Sequence, residues 1–107
     1  MVHAEQYQRE QQIDQCLDQY KAVAKMFEGL NDYKTASYFY NKCLDVSMEA
    51  KSLKGQAEAF KGLGNCEEQV KNKYEAMHKL ETALDRAVDG SEPKLEKEIS
   101  KDLVRVY

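Results

Sequence analysis

The chain has 107 residues, of which 42% are hydrophobic and 33% charged, enough for one small domain with a modest core. Sixteen Lys and Arg against nineteen Asp and Glu give a formal charge of −3 with both signs interleaved, so the basic field that nucleic acid or an anionic membrane surface requires is absent from the sequence. No apolar run approaches the roughly 18 residues of a membrane span, and the polar stretch Met1 to Gln12 does not read as a signal peptide, so the expectation is a cytoplasmic protein without membrane insertion.

The first thirty residues form one helical pattern. Ile13, Cys16, Leu17, Tyr20, Val23, Ala24 and Phe27 make a continuous apolar stripe. Before Ile13 the stripe fades, so His3 to Gln12 extends the helix into solvent or frays, with Tyr7 its one sizeable apolar residue. Gly29 closes this helix, and Asn31-Asp32 opens the next as an N-cap pairing.

The second helix is expected from Tyr33 to about Ala50, with Ala36, Tyr40, Cys43 and Leu44 on its apolar side. Within Tyr38-Phe39-Tyr40, helical spacing assigns Tyr40 to the core. Tyr38 and Phe39 cannot both share its line, so one is exposed, where it could contact a partner, or packed on a neighbouring element.

From Ala57 to Leu84 the pattern is that of two amphipathic helices joined by a polar turn at Lys71 to Lys73. Small residues at Gly64, Ala76 and Ala83 let such helices approach closely, which accounts for a glycine that costs about 1 kcal/mol in a helix interior. Ala76 is placed at the tight crossing and Ala87 away from it. The positions Tyr20, Val23, Ala24, Ala36, Tyr40 and Cys43 recur 40 residues later as Phe60, Leu63, Gly64, Ala76, Leu80 and Ala83, an internal repeat.

Asp89-Gly90-Ser91-Glu92-Pro93 then reads as a helix stop, a Ser cap and a proline at a helix start. Leu95, Ile99, Leu103 and Val106 form the stripe of a last helix, Lys94 to Tyr107, whose other flank with Val104 and Tyr107 has no partner in the sequence. Self-association through this helix is therefore expected, or else continuation of a longer array.

The order Phe60, Leu63, Gly64, Ala76, Leu80, Ala83 resembles the tetratricopeptide repeat, with departures at Glu67, where the family has Tyr, and at Tyr74, one place late for its turn aromatic. The resemblance implies an all-α fold, a right-handed stack of antiparallel helical hairpins: repeat one about 13–50, repeat two about 55–89, and the first helix of a third at about 93–107. The 40-residue period exceeds the family's 34, which calls for longer helices or a longer joint through Lys51 to Gly55.

What the resemblance implies for function is binding of other proteins along the groove formed by the first helix of each repeat. Position by position, that groove presents Asp18, Lys21, Lys25 and Glu28, then Glu58, Lys61, Asn65 and Glu68, then Glu98, Lys101 and Arg105. One branch of the family clamps the terminal carboxylate of acidic chaperone tails by charge-assisted hydrogen bonds. Lys21, Asn65, Lys101 and Arg105 match that clamp, Lys25 replaces an expected Asn, and Asp18, Glu58 and Glu98 would repel an acidic tail. Through the stretches Phe39 to Ser47, Ala57 to Gly64 and Lys101 to Tyr107, the chain from Tyr38 to Tyr107 is similar to axonemal repeat proteins of cilia and flagella that accompany dynein arms. A helical spacer that assembles with its own copies is a third reading.

No Ser-His-Asp grouping, phosphate-binding loop or paired buried carboxylates can be named, so catalysis and cofactors are not expected. His3 and His78 lack partners at ligand spacing. The three cysteines, Cys16, Cys43 and Cys66, have no C-x-x-C spacing and read as reduced thiols, Cys43 as a compact core side chain.

Overall fold

The computed structural model describes the backbone of residues 2–107 and the side chains of residues 11–107. The expectations for His3 and Tyr7 lie outside those described side chains. All regular structure among the described residues is helical: α1 (Val2–Gly29), α2 (Tyr33–Glu49), α3 (Leu53–Gln69), α4 (Lys73–Asp89) and α5 (Pro93–Val106).

Each helix packs chiefly on the next in sequence, as antiparallel hairpins do, while α3 also meets both α1 and α5 along narrow seams. The result is two layers, α1, α3 and α5 in one and α2 and α4 in the other, within an envelope of 50 × 28 × 19 Å. The long period is accommodated by helix length. α2, α3 and α4 are 17 residues each, and α3 begins at Leu53, two residues before the expected start at Gly55, because Ser52 caps it by accepting from the Gly55 N–H at 3.1 Å.

All four connections are built alike. Asn31, Lys51, Lys71 and Ser91 have φ of 61°, 55°, 65° and 55°, twenty residues apart. On either side of each, backbone N–H groups reach back to close the helix end. At the second connection, for example, Lys51 N–H donates to Met48 at 3.1 Å and Ser52 N–H to Ser47 at 2.8 Å, the Schellman arrangement. Ser91 is therefore not the expected N-cap. It holds the left-handed turn, and Glu92 is the cap residue, without a side-chain bond of its own. Asp32 does cap α2, its carboxylate accepting from the Thr35 N–H at 3.2 Å and from the Thr35 hydroxyl at 2.7 Å.

Three apolar clusters fill the seams. Leu17, Cys43 and Ala59 join α1, α2 and α3; Ala24, Ala36, Tyr40, Leu63 and Cys66 continue the same junction; Ala57, Leu80, Ala83, Ala87, Ile99 and Leu103 join α3, α4 and α5. Gly64 permits the α3–α4 approach, since a Cβ there would stand 2.8 Å from Leu80 Cγ and 3.3 Å from the Ala76 carbonyl. Ala87 is as fully buried as Ala76. The distinction drawn between them from sequence does not hold, because α5 covers Ala87 where the hairpin alone would leave it open.

Phe39 turns out to be the packed aromatic of its pair. It stacks on Phe27 at 5.9 Å between ring centroids and lies 6.3 Å from Tyr20, whereas Tyr38 is 56% exposed.

Candidate functional site

The three helices of one layer share a trough. Asp14, Asp18, Lys21, Lys54 and Glu58 line its first recess, of about 260 Å³. Lys21 and Glu58 also border the next, about 320 Å³, together with Lys25, Glu28, Tyr40, Lys61, Gly62, Asn65, Leu95 and Glu98. Glu28 and Asn65 carry over into a third recess with Tyr33, Glu68, Gln69 and Arg105. Most of the groove residues expected from the sequence thus converge on one continuous channel. Lys101 is exposed on α5, borders none of these recesses, and makes no ion pair among the described residues.

Cross-helix pairing ties the channel together. Lys21 on α1 donates to Glu58 on α3 and lies 3.7 Å from Asp18 on its own helix. On the next step Lys61 lies 3.9 Å from Glu98 and 3.8 Å from Asp102, both on α5. Arg105 donates to Glu68 at 2.8 and 3.1 Å, to Asp102 at 3.0 Å and to the Asn65 carbonyl at 3.1 Å. Asn65 in turn donates its amide to Asp102 at 3.3 Å. Lys21 to Glu58, Asn65 to Asp102 and Glu68 to Arg105 are all separated by 37 residues. Since the sequence period is 40, in these three pairs a side chain meets the residue one turn before its periodic equivalent, while Arg105 and Asn65 pair at the full 40.

Asp102, which the sequence patterns do not single out, is the convergence point. It is only 9% exposed, accepts from Asn65 and Arg105, and lies 3.8 Å from the Lys61 ammonium. Its signal is faint because Asp102 occupies the place taken by Gly62 forty residues earlier, so periodicity does not announce a carboxylate there.

Electrostatics follow from this packing. Burial opposes the charge of Lys21, but the hydrogen bond and Coulomb attraction of Glu58, with a smaller pull from Asp18, leave its pKa raised. The Arg105 guanidinium is held further in its charged form, first by its bond to Glu68. Beneath the trough, burial pushes the Tyr40 phenol far up, and the nearby Glu28 adds to the rise. Burial likewise raises the thiols of Cys43 and Cys66 to about 11, and Cys66 Sγ sits 3.8 Å from Glu28 Oε1. These are neutral, packed thiols with little thiolate to offer.

Of the six residues assigned to a partner groove, Lys21, Lys61, Asn65 and Arg105 are brought together but already held by carboxylates. Lys25 lines the trough without an ion pair among the described residues, and Lys101 stands apart. Among the described residues no three His, Cys, Asp or Glu side chains gather as a metal-binding group, and no helix is long and apolar enough to cross a membrane. No family model matches the chain and no curated protein matches it.

Proposed function

We propose that the chain is a non-catalytic interaction module of the tetratricopeptide kind, a scaffold that holds a segment of another protein along the α1–α3–α5 trough. The observation that supports this reading is the trough itself: three helices of one layer present polar side chains to one open channel running across the domain. Its wall carries Lys21, Lys25, Lys54, Lys61 and Arg105 against Asp14, Asp18, Glu28, Glu58, Glu68, Glu98 and Asp102, an excess of two acids. A neutral or basic segment is the better match to it.

The alternative of a cochaperone clamp for acidic tails loses ground on the same geometry. A terminal carboxylate would have to displace Glu58 from Lys21 and Asp102 from Asn65 and Arg105, so part of each new bond would replace one already made. The likeness of Tyr38–Tyr107 to axonemal repeat proteins directs the search for a partner to cilia and flagella and to dynein-associated assemblies, with the cytoplasm as the wider setting.

The test is affinity capture from whole-cell and axonemal extracts with the native chain and with Lys25→Glu/Lys54→Glu. Both lysines line the trough, are exposed and lie outside its ion pairs, so the variant should retain helicity and melting behaviour. The module reading expects a defined axonemal protein whose retention changes with the variant. Capture identical for the two proteins would exclude the trough as the binding surface.

A further inference from the structure

The trough holds seven carboxylates, and five of them are already matched by cations. Asp18 and Glu58 share Lys21, Glu98 and Asp102 share Lys61, and Glu68 takes Arg105. The two without an ion pair among the described residues are Asp14, which is exposed, and Glu28, which is half-buried and borders both the second and the third recess. The groups nearest the Glu28 carboxylate are neutral, the Cys66 thiol at 3.8 Å and the Tyr40 phenol. Lys25, one turn earlier on α1, is exposed and forms no ion pair with it.

The next step of the stack shows what such a carboxylate takes. Glu68 is the equivalent of Glu28 forty residues on, and Arg105 that of Asn65. Glu68 accepts from Arg105 Nε on both its oxygens, at 2.8 and 3.1 Å. At the earlier step the place of Arg105 belongs to Asn65, an uncharged amide whose own bonds run to Asp102 and Arg105. The helix end adds to the demand: Glu28 lies in the last turn of α1, which has no basic residue to face its free carbonyls. The third recess, about 510 Å³, sets Glu28 and Glu68 against Arg105 alone, with Tyr33 beside them.

Resting on the trough reading above, we propose that Glu28 receives an arginine side chain of the bound segment, which stands to Glu28 as Arg105 stands to Glu68. A guanidinium in the third recess gains a charge-assisted bond to Glu28, meets the negative end of α1 and finds the Tyr33 ring to lie against. Arginine suits this recess better than lysine, because its weakly hydrated planar group gives up less on leaving water beside an aromatic ring. Arg105 does not bar the newcomer, since its own charge is already met by Glu68 and Asp102.

Short random peptides displayed on phage and panned on the 107-residue chain supply the probes. Those that bind should share an arginine. Exchanging that arginine for uncharged citrulline, or Glu28→Gln in the chain, should each weaken binding by about tenfold or more, and the two together no further, as read by calorimetry. Glu28→Gln itself should melt no lower than the native chain, because the carboxylate has no cation to lose. A lower melting temperature would mean that the fold already holds Glu28, and overturns the inference. Binders without a common arginine overturn it too, as does a citrulline effect undiminished in Glu28→Gln; where Lys25→Glu/Lys54→Glu still alters their binding, the trough reading stands without it. Binders indifferent to all these trough variants, or no binders at all, overturn both.

Discussion

The ring of Tyr40 occupies the space in which a Cβ on Gly62 would stand. α2 and α3 therefore meet through an aromatic ring laid against bare backbone, and this contact also closes the floor of the trough. Gly62→Ala should destabilise the chain by about 1–3 kcal/mol, since Tyr40 is buried and has little room to retreat. Gly29→Ala should instead stabilise it by about 0.5–1 kcal/mol, because nothing lies within 4 Å of a Cβ there. Urea titrations of the two variants decide the matter, and equal shifts would disprove the close α2–α3 contact.

The four left-handed turn residues make a second prediction. A lysine at φ 55° or 65° bears a strain that glycine does not, so Lys51→Gly and Lys71→Gly should each raise stability by about 1 kcal/mol. Asn31→Gly should gain less, because Asn tolerates this conformation and its side-chain oxygen accepts from the Tyr33 hydroxyl at 2.9 Å. Thermal melts of the three variants would show this order.

Asp102 offers a test of how the trough cations are balanced. Asp102→Ala removes the common partner of Lys61, Asn65 and Arg105 and should cost about 1–3 kcal/mol. A double-mutant cycle with Asn65→Ala should return a coupling of about 0.5 kcal/mol or more. The same variant should hold a peptide ending in acidic residues more tightly than the native chain does. Indistinguishable binding, measured calorimetrically, would mean that Asp102 does not block the site.

Alkaline pH gives the fourth. The thiols of Cys43 and Cys66 are raised by burial from 9.0 to about 11, so the folded state keeps their protons more tightly than the unfolded chain. Their stabilising effect is complete below pH 9 and is lost as pH climbs through about 11, each tenfold difference in proton affinity between the two states being worth ~1.4 kcal/mol. Raised Lys21 acts in the same direction, because it too holds its proton more firmly when folded. Denaturation midpoints should therefore fall over this window, and fall less in Cys43→Ala/Cys66→Ala. Native-state alkylation at neutral pH should label half-buried Cys16 ahead of Cys43 and Cys66.

The five helices were legible because each has a clear apolar stripe. The stripe Leu95, Ile99, Leu103 and Val106 places α5 to within a residue of its observed ends. The turn chemistry was less so: glycine is the usual sign of a left-handed residue, yet Gly29 and Gly90 each precede one, and Lys51 and Lys71 give no signal at all. Channel residues followed from the family resemblance, carried through the 40-residue recurrence, whereas their pairing did not. Lys21 and Glu58 meet one turn short of the 40-residue period, and that offset is set by side-chain packing between layers, which a single sequence does not display.

The order of contacts along the chain has a mechanical consequence. Among the described residues α1 touches α2 and α3 but neither α4 nor α5, and α2 reaches no further than α3. No element among them clasps the two ends together. Tension applied between the termini would thus be borne by one seam at a time, and the domain would peel like a tape rather than rupture as a block. Its yield point would lie at an end helix, the weakest link in a series. A chain of this build can lengthen stepwise under load and re-form from whichever hairpin stays closed.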